Sequence, residues 1–166
     1  MPNLKKEISR HNSKILKPKP TTLEATCNCI QKTDCPMPGR CLTDRLVYKA
    51  TVTGPNIETE TYTGVTKNTF KQRYYGHSSS FKNRENEFST TLSTHIWKMK
   101  DRDEEFDVNW QVIDRGPEFN PTNRKCLLCI KEKYHIIHHP DGSSLNLRSE
   151  LFSTCRHRTS KLLCNI

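Results

Sequence analysis

Long apolar runs are missing from this chain. No stretch approaches the ~18 consecutive apolar residues that a membrane-spanning helix needs, so no membrane partner is expected. The amino terminus, Met1-Pro2-Asn3-Leu4-Lys5-Lys6, has no apolar segment behind it and does not read as a secretion signal. Internal repeats are absent, which excludes a repeat array. Apolar residues make up only 33% of 166, and mean hydropathy is −0.82. That length fits one ordinary domain with a small appendage, and the core must be modest. Chains in this position often recruit a structural metal to fix what burial alone does not. Acidic residues are also short, 18 against 27 Lys and Arg, giving a net charge of +9 and a pI of about 9.2. Such a balance favours a polyanionic partner through its phosphates. A basic tail that only aids solubility is the plainer alternative.

Against these shortages stand eight cysteines and seven histidines. With no secretion signal, a reducing compartment is expected, and there close thiol pairs read as metal ligands rather than disulfides. Cys27, Cys29, Cys35 and Cys41 follow C-x-C-x5-C-x5-C. Four thiolates in so short a span can close a tetrahedral zinc shell, with Pro36, Pro38 and Gly39 letting the backbone turn back. Cys126 and Cys129 form a C-x2-C pair at an expected helix start. Their best partners are Cys155 and His157, with Cys164, His135, His138 and His139 as rivals. Free, partly buried thiols are the competing reading. Four protein ligands leave no open position, so both zinc ions are assigned to structure.

Residues 1–24 combine Lys and Arg with Pro18 and Pro20 and show little apolar periodicity, which reads as a basic, flexible linker. Residues 25–45 form the zinc knuckle, and residues 46–166 carry the periodic segments and the later zinc ligands. Leu46, Tyr48, Ala50 and Val52 alternate with mostly polar neighbours, predicting a strand. Gly54-Pro55-Asn56 is a turn signal, and Glu58 to Val65 a second strand that completes an antiparallel hairpin. Thr66 or Asn68 can cap a helix whose Phe70, Arg73, Tyr74 and His77 share a face. A second helix is predicted from about Thr90 to Lys100, with Leu92, Ile96 and Met99 inward. Phe106, Val108, Trp110 and Val112 alternate as a third strand. Thr122 or Asn123 can open a last helix through Leu128, Cys129, Glu132 and Ile136, stopped by Pro140 and Gly142. The order β-β-α-α-β-α predicts an α+β fold, a small antiparallel three-stranded sheet flanked by helices.

Taken singly, the polar candidates are ordinary. Tyr48 and Tyr62 are typical half-buried strand residues. Arg73 and His77 fit a solvated helix face, Glu132 between Lys131 and Lys133 an exposed ion pair, and Asn146 a turn. Jointly they can do more. Phosphodiester cleavage needs an aligned water, a proton acceptor and positive charge on the reacting phosphate. A phenol beside a cation, a planar guanidinium and a carboxylate holding a hydrated Mg²⁺ supply these.

Val47-Tyr48-Lys49 and Tyr62-Thr63-Gly64, followed by Arg73, His77, Glu132 and Leu145-Asn146, resemble the core of the GIY-YIG nucleases. Both signature triplets depart from the family name: Leu46-Val47 stands for the leading Gly-Ile, and Thr63 replaces the Ile. Several stretches are similar, more narrowly, to the endonuclease domain of Penelope-like retroelements. Among them are Arg73-Tyr74-Tyr75-Gly76-His77, Leu92-Ser93-Thr94-His95-Ile96-Trp97, Cys126-Leu127-Leu128-Cys129 and Leu145-Asn146-Leu147-Arg148. Some members place two cysteines between the signature tyrosines; this chain has none there, so that zinc site is not carried over. The resemblance implies that Glu132 binds a catalytic Mg²⁺ or Mn²⁺ and that Arg73 stabilises the phosphate. Tyr48 or Tyr62 would position or deprotonate the water, with His77 assisting and Asn146 supporting the site. The role of His95 stays open, and Glu150 is taken as structural. The implied activity is a nick in target DNA whose 3′ hydroxyl primes reverse transcription. A reverse transcriptase domain of the same polyprotein would then be the partner, and the location nuclear. A repair-type nuclease of the same family, a zinc-containing DNA-binding module without chemistry, and a zinc-held interaction domain are the alternatives.

Overall fold

The computed structural model describes residues 3–17, 26–117, 119–147, 154, 155, 157 and 163. Its centre is a three-stranded antiparallel sheet of β1 (Leu46–Gly54), β2 (Ile57–Thr66) and β3 (Asp107–Arg115), in the order β2-β1-β3. Three helices accompany it, α2 (Phe70–Lys82), α3 (Thr91–Lys100) and α4 (Leu127–His138); α1 (Leu4–Leu16) precedes the sheet in the chain. The fold class is therefore α+β, as the alternation of apolar residues predicts.

Strand periodicity decides which face is buried. Leu46, Tyr48, Ala50 and Val52 all point into one core and are fully buried, joined there by Phe70 of α2 and by Leu92, Ile96 and Met99 of α3. Full burial of each large apolar side chain is worth about 1.5–3 kcal/mol before entropy is counted, so this cluster fixes the sheet-to-helix packing. Val47 faces the other way, yet it too is fully buried, against Phe119, Cys126 and Leu128. The start of β1 is thus covered on both faces, which is why its pattern there is not a clean alternation. The hairpin closes through Gly54, where a side chain would run into the backbone oxygen of Glu105.

Several boundaries differ from the sequence reading. Helix α2 is capped by Thr69, whose hydroxyl accepts the Gln72 N–H, rather than by Thr66 or Asn68. Thr66 is still in β2, paired with Leu46, and its hydroxyl accepts the Asn68 N–H at 3.1 Å. Helix α4 begins at Leu127, not near Thr122 or Asn123. A two-strand ribbon of β4 (Phe119–Asn120) and β5 (Lys125–Cys126) comes first. Asn120 and Asn123 accept the N–H groups of Thr122 and Lys125, so their side chains shape the turn instead of starting a helix. Residues 4–16 are helical where an irregular linker was expected; Asn3 caps α1, and none of its residues is buried.

The cysteine knuckle is continuous with the main core, because Met37 packs into it and Cys41 is fully buried. The backbone carbonyls of Thr43 and Cys41 accept the N–H groups of Phe70 and Lys71 at 2.9 and 2.7 Å. These donors belong to the first turn of α2 and have no partner within the helix. The knuckle therefore anchors the N-terminal end of the helix that carries Arg73.

Candidate functional site

The register of β1 against β2 places Tyr48 opposite Gly64 and Ala50 opposite Tyr62. Both phenols stand on the same face, with ring centroids 6.4 Å apart. The Tyr48 ring lies directly over Gly64. A Cβ there would sit 2.5 Å from the Tyr48 hydroxyl oxygen, 2.6 Å from its Cζ and 2.8 Å from Cε1 of Tyr62. Glycine is required at that position by this crossing, not by backbone torsion.

Helix α2 delivers two groups to the Tyr48 hydroxyl from one face. Arg73 Nε donates to it at 2.8 Å, and His77 Nε2 lies 2.7 Å from it. His77 is buried, and burial followed by the nearby Arg73 charge pushes its pKa down to about 3. The imidazole is accordingly neutral near pH 7 and accepts the Tyr48 proton while Arg73 donates. Burial works against the Arg73 charge, but Tyr48 and Tyr62 outweigh it and raise its pKa. Tyr48 is thus a fully buried link that orients the guanidinium.

Tyr62, Arg73 and Glu132 line one cleft of about 360 Å³, together with Lys133, Thr90, Cys129 and His157. A phenol, a guanidinium and a carboxylate predicted from three separate segments therefore reach a common solvent-open space. Tyr48 and His77 lie behind Arg73 and do not line it. Asn146 has a different task. Its Oδ1 accepts the Thr63 N–H at 2.7 Å and its Nδ2 donates to the Thr63 carbonyl at 2.8 Å. The amide thus extends the ladder at the open edge of β2 as a further strand residue would. Thr63 is buried, and its hydroxyl meets Ser143 Oγ at 2.7 Å and the Gly142 carbonyl at 3.1 Å. A hydroxyl in place of an apolar side chain here ties the loop after α4 to the sheet.

His95 is elsewhere. It lines a separate cleft of about 410 Å³ with Glu58, Glu60 and Arg102, and burial lowers its pKa. Glu150 and Cys164 lie outside the described residues.

Two Cys/His groups each bring four ligand atoms within 4.8 Å of one another: Cys27, Cys29, Cys35 and Cys41, and Cys126, Cys129, Cys155 and His157. A Zn–S distance of about 2.3 Å and tetrahedral angles imply sulfur pairs ~3.8 Å apart. The first cluster has Sγ separations of 3.5, 3.6 and 3.7 Å. In the second, Cys129 and Cys155 are 3.5 Å apart, and His157 Nδ1 lies 3.5 and 3.2 Å from Cys126 and Cys129. The donors fit zinc in both places. At Cys41, burial first and the neighbouring thiols next push the pKa up to about 12. Burial opposes ionisation at Cys35 as well, but its hydrogen-bonded contacts with Met37, Cys27 and Cys41 outweigh it and bring the value down to about 7. A metal must displace the protons of such thiols, so its retention depends on pH. Of the rival ligands, His135 instead pairs with Asp114 at 3.3 Å, beside Lys131 at 2.6 Å. A surface ion pair such as that of Lys131 with Asp114 contributes ~1 kcal/mol or less, whereas a structural zinc contributes on the order of 10 kcal/mol.

Sequence reasoning missed that Cys129, Cys155 and His157 stand in the wall of the same cleft as Glu132. The three-residue spacing of Cys129 and Glu132 on a helix was its one visible sign. Lys133 was also passed over as a cleft cation, although its neighbour in sequence is Glu132. No protein-family model matches the chain, and neither a curated protein nor a solved structure matches it.

Proposed function

We propose that the chain is a metal-dependent DNA endonuclease of the GIY-YIG type, acting through the cleft lined by Tyr62, Arg73 and Glu132. The observation that carries this reading is their convergence on one open space, with Arg73 hydrogen-bonded to the buried Tyr48–His77 pair. Arg73 offers a planar, permanently charged donor set suited to phosphate oxygens. Its partly buried hydrogen bond to Tyr48 limits its rotamers, so little ordering is left for the moment of reaction. Tyr62 is the tyrosine placed to touch a cleft water, while Tyr48 holds the cation. Lys133 adds positive charge for the flanking backbone.

Glu132 is the carboxylate for Mg²⁺ or Mn²⁺. One carboxylate in a cleft of about 360 Å³ suits an ion that keeps most of its water shell. Bound there, such an ion would supply Lewis-acid stabilisation of charge on the phosphate. The net charge of +9 supports a polyanionic substrate. The resemblance to Penelope-like retroelements extends the proposal to a nick whose 3′ hydroxyl primes reverse transcription.

Supercoiled plasmid with Mg²⁺ or Mn²⁺ tests the proposal. Nicking by the intact protein should fall at least ~100-fold in Arg73→Ala and in Glu132→Ala, the usual loss when one stabilising charge is removed. Salt-sensitive DNA binding without cleavage by any divalent ion would leave a zinc-containing DNA-binding module as the better reading. Nicking that survives both substitutions would remove the site.

A further inference from the structure

The second thiol cluster has a consequence for the cleft as well as for stability. Cys129, Cys155 and His157 line the same space as Glu132 and Arg73. Cys129 precedes Glu132 by one helical turn on α4. Burial holds that helix only lightly. Leu128 is its one fully buried residue, while Leu127, Ile130, Tyr134 and Ile137 are all at least 42% exposed. Its N-cap residue is Cys126, which makes no side-chain capping bond. Lys131 and His135 add a partly exposed pairing with Asp114. Two ligands lie at the start of the helix, and two come from 26 to 31 residues further along the chain. A four-coordinate metal would clamp the first turn of α4 in one orientation, and ligand geometry tolerates little rotation.

We propose that a zinc ion held by Cys126, Cys129, Cys155 and His157 is the positioning element that turns Glu132 toward Arg73. This rests on the nuclease reading only for the use made of Glu132. The four ligands act through the helix and do not touch substrate. They supply the supporting shell whose loss typically weakens metal binding about 10- to 100-fold.

The test compares the full-length protein with Cys155→Ser, which removes a ligand, and with His157→Cys, which keeps four. Zinc content, amide hydrogen exchange and Mn²⁺ affinity by titration are read for each. Cys155→Ser should lose one zinc ion, and α4 amides should exchange about 100-fold faster while β1 and β2 stay protected, as a local opening requires. Its Mn²⁺ affinity should fall about 10-fold or more. His157→Cys should keep the zinc, the protection and the Mn²⁺ affinity. Zinc loss that leaves α4 protection and Mn²⁺ affinity unchanged overturns the proposal. So does loss of protection in the sheet and α4 together, which makes the metal a general staple of the fold. A wild-type protein that neither binds Mn²⁺ nor nicks DNA sinks the nuclease reading, and the α4 result then still decides whether the metal fixes Glu132.

Discussion

Gly64→Ala puts the geometry of the Arg73–Tyr48–His77 contacts to a direct test, independent of any activity. The new methyl would meet the Tyr48 oxygen at 2.5 Å, its Cζ at 2.6 Å and Tyr62 Cε1 at 2.8 Å. Ordinary carbon contacts are about 3.5 Å or longer, so the Tyr48 ring must retreat by roughly 1 Å. It has little room, because it is fully buried and edges against Phe70 and His77 at centroid distances of 5.5 and 5.8 Å. Overpacking of this kind costs about 1–3 kcal/mol. The hydroxyl would also leave its hydrogen bonds to Arg73 and His77, now 2.8 and 2.7 Å, of which the first is charge-assisted. Adding about 1–2 kcal/mol for those bonds gives a total near 2–5 kcal/mol. For a chain of this size that corresponds to a fall in Tm of roughly 5–20 °C. Thermal unfolding followed by circular dichroism at constant zinc measures it. Adding Tyr48→Phe should not restore stability, since Cζ would still lie 2.6 Å from the methyl. A Gly64→Ala protein as stable as the wild type would refute the crossing of Tyr48 over β2.

Further outcomes follow from the same structure. His77 has a folded pKa of about 3 against an ordinary value of 6.5, so the unfolded chain binds the extra proton between those values. Stability contributed by neutral His77 is complete above about pH 6.5 and is lost as pH falls toward 3, by at most ~1.4 kcal/mol per unit. Denaturant titrations should show a shallower acid slope in His77→Gln than in wild type; equal slopes would contradict a buried neutral imidazole. Asn146→Ala removes two hydrogen bonds to Thr63 and should cost about 1–3 kcal/mol, with faster exchange of the Thr63 amide. Unchanged exchange there would remove its role at the sheet edge. Metal analysis of the purified protein should find two zinc ions per chain, one for each ligand cluster. Fewer than two would remove a cluster.

The parts of the fold legible in the sequence are those set by local periodicity. The alternation from Leu46 to Val52 and the shared face of Phe70, Arg73 and His77 each mark an element whose one side is apolar or functional. Helix ends were harder to place, because Thr66, Asn68 and Thr69 can all cap. Only the pairing of Thr66 with Leu46 excludes the first from that role. The short β4–β5 ribbon was not visible, since Asn120 and Asn123 serve turns as readily as caps. Helix α1 buries none of its residues, and its four apolar side chains, Leu4, Ile8, Ile15 and Leu16, are too sparse among basic and polar neighbours to stand out from a linker.

At the site, residue types announced the candidate chemistry, but their division of labour depends on contacts distant in sequence. Tyr48 and Tyr62 look alike in the chain, and the register against Gly64 and the reach of α2 separate them. Asn146 reads as a turn residue until the open edge of β2 is placed beside it. Cys155 and His157 are the preferred partners by spacing alone, and the structure brings both beside Cys126 and Cys129. Thr63, a departure from the resemblance, gains its reason from Ser143 and Gly142, which lie far along the chain.

A double-mutant cycle on Arg73 and Glu132, read as nicking rate on supercoiled plasmid with saturating Mn²⁺, tests the shared cleft most directly. If both side chains serve one reacting phosphate, Arg73→Ala/Glu132→Ala should be no slower than the slower single variant within about threefold, because groups acting as a unit are strongly non-additive. Rates for the two single changes that multiply in the double variant, or wild-type rates in either single variant, would contradict a common site.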